Sequence, residues 1–309
     1  MRILIVGAGA IGGYFGGRLL QHGRDVTFLV RERRAAQLAQ HGLSIRSPHG
    51  DVALSAPPCV LARDLRQPFE LVVLTCKAYD LDAAMEDVAP AVGERTAILP
   101  LLNGMRHLDR LDARFGAAKV LGGLCAIPAT LDGEGVVRHL GSFHDLMFGE
   151  RAGGSSARIE SIAVALTGAG FDARRSGDIV QDMWEKWVFL AALAGITCLM
   201  RASIGEIVSA AGGREVALAL WEECCAVAAR AGHAPSDAAR ERSQAMLTKP
   251  GSTLTASMLR DLQGGARIEA DQVIGDMLAR TRDGLAPSAL LRVVYAHLKT
   301  YEAVRARQL

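Results

Sequence analysis

The sequence predicts two domains, an α/β domain built on a parallel sheet with added strands, followed by an all-α domain. Its 309 residues correspond to about two domains of roughly 150 residues each. A composition with 50% hydrophobic residues, 33 glycines and only 5% aromatics suits α/β layers joined by short turns. Helical spacing replaces the alternation of strands and helices after Gly177, so we place the domains at 1–177 and 178–309.

Short β-rich runs alternate with helical patterns at the start of the chain, which is typical of βαβ units in a parallel sheet. The predicted elements are, in order, a strand at Arg2–Val6, a helix to His22, a strand at Val26–Val30 and a helix at Glu32–His41. The next segment, Leu43–Leu54, contains Ser47-Pro48-His49-Gly50 in its middle. Because these are turn residues, we predict a hairpin inserted between the units.

The alternation then resumes, and further strands close the first domain. Strands are predicted at Leu71–Cys76, Ala97–Leu102, Val120–Pro128, Gly135–Leu140, Ser142–Gly149 and Phe171–Arg175, with helices at Ala83–Ala91 and Ala157–Thr167. In the second domain, helices are predicted at Ile179–Met200, Gly213–Ala231, Pro235–Thr248, Thr255–Leu262, Glu269–Arg282 and Pro287–Arg305. The sequence has no long linker, so we expect the domains to pack closely around a cleft that holds the active site.

Charge and cysteine content exclude several classes of protein. The formal charge of +2, from 35 Lys and Arg against 33 Asp and Glu, argues against a nucleic-acid-binding surface. The cysteines form no CxxC pair and the histidines no HExxH motif, so we predict a reducing, cytoplasmic compartment and no built-in metal. The apolar run Trp187–Met200 is shorter than the ~20 residues that span a bilayer, which predicts a buried helix and no membrane attachment.

A glycine-rich loop directly follows the first predicted strand and precedes a helix. The loop residues are Gly7, Ala8, Gly9, Ala10, Ile11 and Gly12. In a GxGxxG loop, the first glycine permits a tight turn, the second lets the backbone approach a diphosphate, and the third lets helix and strand pack closely. The diphosphate binds the N–H groups of the helix N-terminus. We therefore predict a Rossmann-type dinucleotide-binding domain; the alternative is a glycine-rich turn that binds nothing.

Arg31 stands at the end of the second predicted strand, where an NAD-binding domain places the acid that binds the ribose. Arg33 and Arg34 follow closely. This cluster favours a 2′-phosphate and hence NADP(H). Two alternatives remain open: Glu32 could turn inward and bind a ribose hydroxyl, or the arginines could be ordinary solvated charges on a surface helix.

Reduction of a ketone by hydride transfer also requires a proton donor. Lys186 lies in Trp184-Glu185-Lys186-Trp187, at the start of the apolar run, where partial desolvation would favour an acid role. The alternative is a lysine that extends from the edge of the helix into solvent.

Five motifs together carry a resemblance to a known family. They are the GxGxxG loop, Thr75-Cys76-Lys77-Ala78, Leu102-Asn103-Gly104-Met105, Trp184-Glu185-Lys186 and Ile268-Glu269-Ala270-Asp271. Because these motifs occur in this order over nearly the whole length, the chain resembles the ketopantoate reductases (2-dehydropantoate 2-reductases). The resemblance implies an N-terminal Rossmann domain, a helical C-terminal domain, and reduction of 2-dehydropantoate to pantoate by NADPH, on the way to pantothenate and coenzyme A.

The resemblance also implies roles for particular residues. Lys186 would be the proton donor, Lys77 and Asn103 would line the nicotinamide side of the site, and Arg31 would contact the adenosine phosphate. Asn103 would contact substrate as well.

Three further residues receive a role in the same way. Glu269 would contact the cofactor and help to organise the lysine, Ser257 would contact substrate, and a backbone group of Ala129 would meet the cofactor. Each residue also has a purely structural interpretation, such as a turn residue or an exposed acid in the first turn of a helix.

The chain departs from the family pattern at three expected substrate-binding positions. Leu190, Ala194 and Ile204 stand where the family has asparagines that hold polar groups of the substrate. Loss of such hydrogen bonds leaves polar groups unpaired. The sequence therefore predicts an NADPH-dependent reductase of a 2-oxo acid, with 2-dehydropantoate as the default substrate and a bulkier or less polar 2-oxo compound as the alternative.

A different class of protein, a redox sensor that holds NADP(H) without turnover, is the third interpretation. The presence of both Lys186 and Glu269 argues against it, because a sensor does not require a proton donor. An apolar face on the C-terminal helices could serve either a homodimer or the core of the domain itself.

Overall fold

A computed structural model describes residues 1–281 and 288–308. Contacts divide the chain into two compact units, an α/β unit of 1–102 and 107–180 and a helical unit that contains 103–106 and the chain from Gln181 onward. The predicted fold class, an α/β domain with added strands followed by an all-α domain, is confirmed. The domain limits 1–177 and 178–309 remain a proposal, to which the structure adds the grouping of Asn103–Arg106 with the helical unit.

The strands all lie in the α/β unit, as far as the described residues show. They are β1 (Ile3–Val6), β2 (Val26–Leu29), β3 (Leu43–Arg46), β4 (Val52–Leu54), β5 (Cys59–Val60), β6 (Leu71–Leu74), β7 (Ala97–Pro100), β8 (Gly122–Ala126), β9 (Ala129–Leu131), β10 (Val137–His139), β11 (Asp145–Gly149) and β12 (Asp172–Arg175).

Helices occur in both units. They are α1 (Ala10–Gln21), α2 (Glu32–His41), α3 (Leu81–Val88), α4 (Arg106–Phe115), α5 (Ala157–Leu166), α6 (Ile179–Met200), α7 (Ile204–Ser209), α8 (Gly213–Arg230), α9 (Asp237–Leu247), α10 (Ser257–Gln263), α11 (Asp276–Ala279) and α12 (Ala289–Ala306).

The central sheet is parallel and has the strand order β5-β2-β1-β6-β7. All four residues of β1 are buried, as expected because helices cover both faces of a parallel sheet. The chain leaves β1 toward β2 on one side and returns to β6 on the other. The carboxyl ends of β1 and β6 therefore flank a topological switch point, which is where open α/β sheets bind ligands.

The added strands form two smaller sheets, with the orders β4-β3-β10-β9 and β12-β11-β8. The predicted hairpin is confirmed as the antiparallel pair β3 and β4, with Leu43 opposite Leu54. The short strands β5 and β9 were missing from the sequence-based prediction. Pairing with Phe28–Leu29 holds β5, and pairing with β10 holds β9.

Helix α1 lies between two sheets and approaches both through glycines. A Cβ at Gly16 would stand 2.5 Å from the ring of Phe28 in the central sheet, and a Cβ at Gly17 would stand 2.7 Å from Ile45 in β3. Both distances are shorter than van der Waals contact. The glycines of α1 therefore allow close packing on two sides, which fixes the helix and its N-terminus relative to β1.

Helix α6 lies in the second unit from Gln181 onward, and its predicted bounds, Ile179–Met200, match the structure. Among the described residues it is the one helix long and apolar enough to cross a membrane, with a mean hydropathy of 1.4 over its most apolar window. Of that window, 67% is buried inside the protein. This burial is the pattern of a core helix, as the sequence predicted.

The prediction was wrong in detail elsewhere in the helices. Helices α4 and α7 were not predicted, and the helix expected at Glu269–Arg282 begins with the π-helical turn Asp271–Gly275 before α11. Helix α12 begins at Ala289 in the described part of the chain, and the predicted start at Pro287 lies outside that part. Arg282 and the predicted break at 284–287 lie outside the described residues.

Three histidines distant in sequence lie together in the α/β unit. The rings of His49 and His144 stack with centroids 3.9 Å apart and planes 22° apart, and His139 lies 5.7 Å from His144. Possible ligand atoms of all three lie within 4.8 Å of one another. Face-to-face stacking, however, directs the lone pairs of His49 and His144 into nearly parallel planes, so the rings are not preformed to share one metal ion.

Burial lowers the pKa of both His139 and His144 below the ordinary value, and the positive charge of Arg18 adds to the effect. Asp172 opposes it at His144. The Tyr14 hydroxyl lies 2.6 Å from Nδ1 of His144. Nε2 of His139 lies 3.0 Å from the carbonyl oxygen of Phe143, a contact that opposes the lowering of the His139 pKa without reversing it.

We expect this stack to make the stability of the protein dependent on pH. Because the folded-state pKa of His139 lies below the ordinary 6.5, the unfolded chain binds protons first as the pH falls. The stabilisation is therefore complete above about pH 7 and is lost as the pH falls below about 6.5. His139→Gln should reduce the difference between the urea midpoints at about pH 7.5 and about pH 5.5, whereas His41→Gln, at an exposed position, should not. An unchanged difference in His139→Gln would contradict the account.

Candidate active site

The loop between β1 and α1 is closed by a contact that only glycine allows. Gly7 has φ +95°, and a Cβ at Gly12 would overlap both the carbonyl oxygen of Gly7 and the hydroxyl of Thr75. Thr75 directly follows β6 and donates its hydroxyl to the carbonyl oxygen of Val6 at 2.8 Å. A side chain at position 12 would therefore separate the loop from β6.

The opposite side of the loop is open. A Cβ at Gly9, the N-cap of α1, would meet nothing within 4 Å. The N–H of Gly13 makes the first helical hydrogen bond, to Gly9 at 2.8 Å, so the N–H groups of Ala10, Ile11 and Gly12 have no intrahelical acceptor. An open backbone at the positive end of a helix dipole fits the diphosphate of a dinucleotide.

Two arginines that follow β2 have different partners. Arg31 is exposed, and its Nη2 pairs with Oδ1 of Asp80 at 2.9 Å, which raises the pKa of Arg31. Arg34 is partly buried, and its Nε donates to the carbonyl oxygen of Ala8 at 3.0 Å while Nη1 donates to that of Gly135. Arg34 therefore holds the glycine loop, and Arg31 is the arginine that an anion can reach by replacing Asp80.

Glu32, the sequence-based alternative for binding a ribose, is exposed and pairs with Arg63. Its carboxylate thus has a cationic partner on the surface. This arrangement favours Arg31 over Glu32 as the residue that contacts the adenosine end of a cofactor.

Lys77 and Ala129 take different positions around the loop. Lys77 follows β6, whose last residue, Leu74, pairs with Val6 in β1, so Lys77 lies at the same edge of the sheet as the glycine loop. Ala129 is partly buried and begins β9, which packs against α1. Their cofactor contacts remain predictions.

Lys186 and Asn103 meet within the helical unit. The Lys186 ammonium donates from Nζ to Oδ1 of Asn103 at 3.2 Å, although the two residues are 83 positions apart. Asn103 follows β7 and belongs to the segment Asn103–Arg106, and the next residue, Gly104, turns the chain with φ +74°. The contact holds both side chains in one partly buried place.

Glu185, beside Lys186, has a structural role. Burial opposes its ionisation, but hydrogen bonds from the backbone and side chain of Ser236 lower the pKa of Glu185 overall. Its Oε1 accepts the N–H of Ser236 at 2.9 Å. The carboxylate is therefore ionised and links α6 to the start of α9.

The other predicted site residues of the helical unit differ in their exposure. Ser257, the first residue of α10, Glu269, just before the π-helical turn, and Leu190 are partly buried. Ala194 is 1% exposed and Ile204 is 0% exposed. Of the three positions that depart from the family pattern, Leu190 is thus the one that offers surface to a small molecule.

Three residues with defined contacts at the site were missing from the sequence-based prediction. They are Asp80, which pairs with Arg31; Arg34, which holds Ala8; and Gln272, whose Nε2 donates to the carbonyl oxygen of Asn103 at 2.7 Å. The sequence indicates Arg34 only as a charge near Arg31. The contacts of Arg34 and Gln272 are to backbone oxygens. Every residue has such an oxygen, so the side chains in the sequence do not indicate these partners.

The glycine loop between β1 and α1 is typical of a dinucleotide-binding unit, and the helical unit separately holds a partly buried lysine. The models of the two domains of the ketopantoate reductase PanE/ApbA family match residues 3–153 and 178–302. The chain belongs to this family, which binds NADPH. The protein is therefore an oxidoreductase that acts on a CH–OH group, and the sensor interpretation is not supported.

Individual relatives are similar over nearly the full length. The chain is 39% identical to an "uncharacterized oxidoreductase", YkpB of Bacillus subtilis (strain 168). The identity extends over 303 residues, an alignment that covers 98% of this chain and 99% of the relative. The 2-dehydropantoate 2-reductase of Geobacter metallireducens superposes with a TM-score of 0.88 at 28% identity, covering 97% and 99% of the two chains. A D-mandelate dehydrogenase with NADH and anilino(oxo)acetate shares the fold, with a TM-score of 0.88 at 21% identity over 99% and 100% of the chains.

Two glycine substitutions should separate folding from cofactor binding. Gly9→Ala adds a methyl group in open space, so the variant should fold normally but bind NADPH at least about tenfold more weakly, because the methyl group obstructs the approach of the diphosphate. Gly12→Ala should instead lower the melting temperature, because its Cβ overlaps backbone. Fluorescence titration and thermal unfolding measure the two effects. Normal NADPH affinity in Gly9→Ala would contradict this placement of the diphosphate.

Removal of Arg31 should change the choice of cofactor. A charge-assisted hydrogen bond to a phosphate contributes about 1.5–3 kcal/mol, so Arg31→Ala should weaken NADPH binding roughly ten- to a hundredfold and leave NADH binding nearly unchanged. Arg63→Ala is the matched control, since Arg63 also forms an exposed ion pair with an acid. Equal losses for NADPH and NADH would show that Arg31 does not contact the 2′-phosphate.

Proposed function

We propose that this protein reduces a 2-oxo acid with NADPH and that Lys186 donates the proton. The default substrate is 2-dehydropantoate, which would be reduced to pantoate in the synthesis of pantothenate. The hydrogen bond from Lys186 Nζ to Asn103 Oδ1 is the observation that carries the proposal, because it holds a lysine ammonium in a partly buried place. A cytoplasmic location and a homodimer are further predictions.

Such a reduction requires a hydride for the carbonyl carbon and a proton for the carbonyl oxygen. The backbone at Gly9–Gly12 and Arg31 would hold NADPH, which would supply a hydride for the carbonyl carbon of the substrate. The Lys186 ammonium donates a proton to the carbonyl oxygen, so that a hydroxyl group forms rather than an alkoxide anion. An ammonium has three N–H donors, and the contact with Asn103 uses one of them to orient the group.

The cofactor-binding residues would hold the cofactor in a fixed orientation. The backbone at Gly9–Gly12 would hold the diphosphate, and Arg31 would exchange Asp80 for the 2′-phosphate. Lys77, Ala129 and Glu269 stay candidates for contacts nearer the nicotinamide.

A less polar 2-oxo acid is the second candidate substrate. Leu190 offers carbon surface where the family pattern has an asparagine, and the buried Ala194 and Ile204 cannot form side-chain hydrogen bonds. Apolar contact with such a surface contributes roughly 25 cal/mol per Å² buried, which favours a hydrocarbon side chain over a hydroxyl. Asn103 and Ser257 remain the polar candidates for substrate contact.

The test is a panel of 2-oxo acids that contains 2-dehydropantoate, branched compounds and an aromatic compound, the last suggested by the D-mandelate dehydrogenase of the same fold. We expect NADPH oxidation with at least one member. Because one missing polar contact costs about 1–3 kcal/mol, the kcat/KM for 2-dehydropantoate should lie at least about tenfold below that of a family member that has the asparagines, and a 2-oxo acid with a larger apolar side chain should do comparatively better. Lys186→Ala should lower kcat by roughly 10²–10⁴ and leave NADPH affinity nearly unchanged.

Two results would overturn different parts of the proposal. A kcat/KM for 2-dehydropantoate near ~10⁵ M⁻¹s⁻¹ and well above the other compounds would show that other groups replace the asparagines. Wild-type turnover in Lys186→Ala would show that Lys186 is not the proton donor.

A further inference from the structure

The π-helical turn Asp271–Gly275 lies between Ala270 and α11. The N–H of Asp276 donates to the carbonyl oxygen of Asp271, five residues earlier, so this turn is wider than an α-helical one. Such turns change which side chains and carbonyl groups face outward, and they are frequent at functional sites.

One backbone group of the turn is held by the residue next to Lys186. The indole N–H of Trp187 donates from Nε1 to the carbonyl oxygen of Val273 at 2.9 Å. Trp187 is 1% exposed and Val273 is 2% exposed, so this hydrogen bond is shielded from water. The turn is thus fixed to α6 one residue away from the lysine.

A side chain of the same turn holds the partner of the lysine. Gln272 is 6% exposed, and its Nε2 donates to the carbonyl oxygen of Asn103 at 2.7 Å. The next residue, Gly104, lies against the turn: a Cβ there would stand 2.7 Å from the carbonyl oxygen of Gln272 and 3.6 Å from Nε1 of Trp187. Asn103 and Gly104 are therefore packed directly on the turn.

We propose that Gln272 and Trp187 are positioning residues that act through the π-helical turn. They hold Asn103 where its Oδ1 accepts a hydrogen bond from the Lys186 ammonium. The inference rests on the proposed function for the part played by Lys186. Trp187 fixes the turn to α6, and Gln272 fixes Asn103 to the turn. The lysine and its acceptor are thereby tied to one rigid group, although β7 and α6 are far apart in sequence.

Matched variants test the two hydrogen bonds. Trp187→Phe removes the indole N–H and keeps an aromatic ring. Its control is Trp221→Phe, because Trp221 is 0% exposed and its Nε1 has no hydrogen-bond partner among residues 1–281 and 288–308. Gln272→Ala removes the amide, and its control is Gln263→Ala at the exposed end of α10. The controls remove the same chemical groups without touching Asn103.

The first measurement is amide hydrogen exchange at 103–106, which requires neither cofactor nor substrate. We expect faster exchange there in Trp187→Phe and Gln272→Ala, and no change in the two controls. Unchanged exchange in both test variants would overturn the proposal, whether or not a substrate has been found.

The second measurement is steady-state kinetics on the best substrate of the panel. We expect kcat to fall about tenfold to a hundredfold in the two test variants, with the KM for NADPH within about twofold, because a small displacement of a reacting group has this cost. The alkaline limb of the kcat profile should move to lower pH, because the hydrogen bond that stabilises the ammonium is weakened.

The outcomes separate the two proposals. Faster exchange at 103–106 with unchanged kcat and an unchanged alkaline limb would overturn the positioning role. Absence of turnover by the wild-type protein with every 2-oxo acid would refute the proposed function, and the exchange experiment would then decide by itself whether the turn holds Asn103. If the controls lost as much kcat as the test variants, the effect would be one of stability, and the proposal would be wrong.

Discussion

The N-terminal unit depends on one close approach, that of helix α1 to the strands on either side of it. The carbonyl oxygen of Gly7 occupies the place where a side chain at Gly12 would begin, and the hydroxyl of Thr75 closes the same space. Farther along the helix, Gly16 and Gly17 admit Phe28 and Ile45. Because the helix cannot move away from the sheet without losing this packing, its N-terminus is held at the carboxyl end of β1, where a diphosphate can bind.

In the helical unit, hydrogen bonds to Asn103 act together with the close packing of Gly104 on the π-helical turn. Lys186 donates to Asn103, Gln272 donates to the backbone of Asn103, and neither contact is local in sequence. Hydrogen bonds have preferred directions, so they fix the orientation of an ammonium better than apolar contacts do. The hydrogen bond to Asn103 thus orients the ammonium, whereas the carboxylate of the neighbouring Glu185 accepts the N–H of Ser236.

Much of the fold could be predicted from the sequence, because local signals agree with the tertiary structure. The bounds of α2 and α6 follow from helical periodicity, and the turn residues at Ser47–Gly50 predicted the β3–β4 hairpin. Strands β5 and β9 could not be predicted so well. They are two and three residues long, and pairing with neighbouring strands, not their own pattern, defines them.

The sequence could predict which residues belong to the candidate site, but not the contacts that those residues make. The glycine loop and Lys186 stand in motifs, whereas the partners of Arg31 and Arg34 are set by the three-dimensional path of the chain. A π-helical turn has no sequence signature of its own, so the contact between Gln272 and Asn103 was not foreseen. For the same reason, nothing in the sequence indicated that His49, His139 and His144 stack.

The central claim is that Lys186 and Asn103 act as one unit in proton donation. A double-mutant cycle of Lys186→Ala and Asn103→Ala tests it most directly, with kcat measured at saturating NADPH on the best substrate. If the two residues act together, the double variant should lose no more kcat than Lys186→Ala alone, because the role of Asn103 requires the lysine. Losses that multiply, so that each substitution has the same effect with or without the other, would contradict the account.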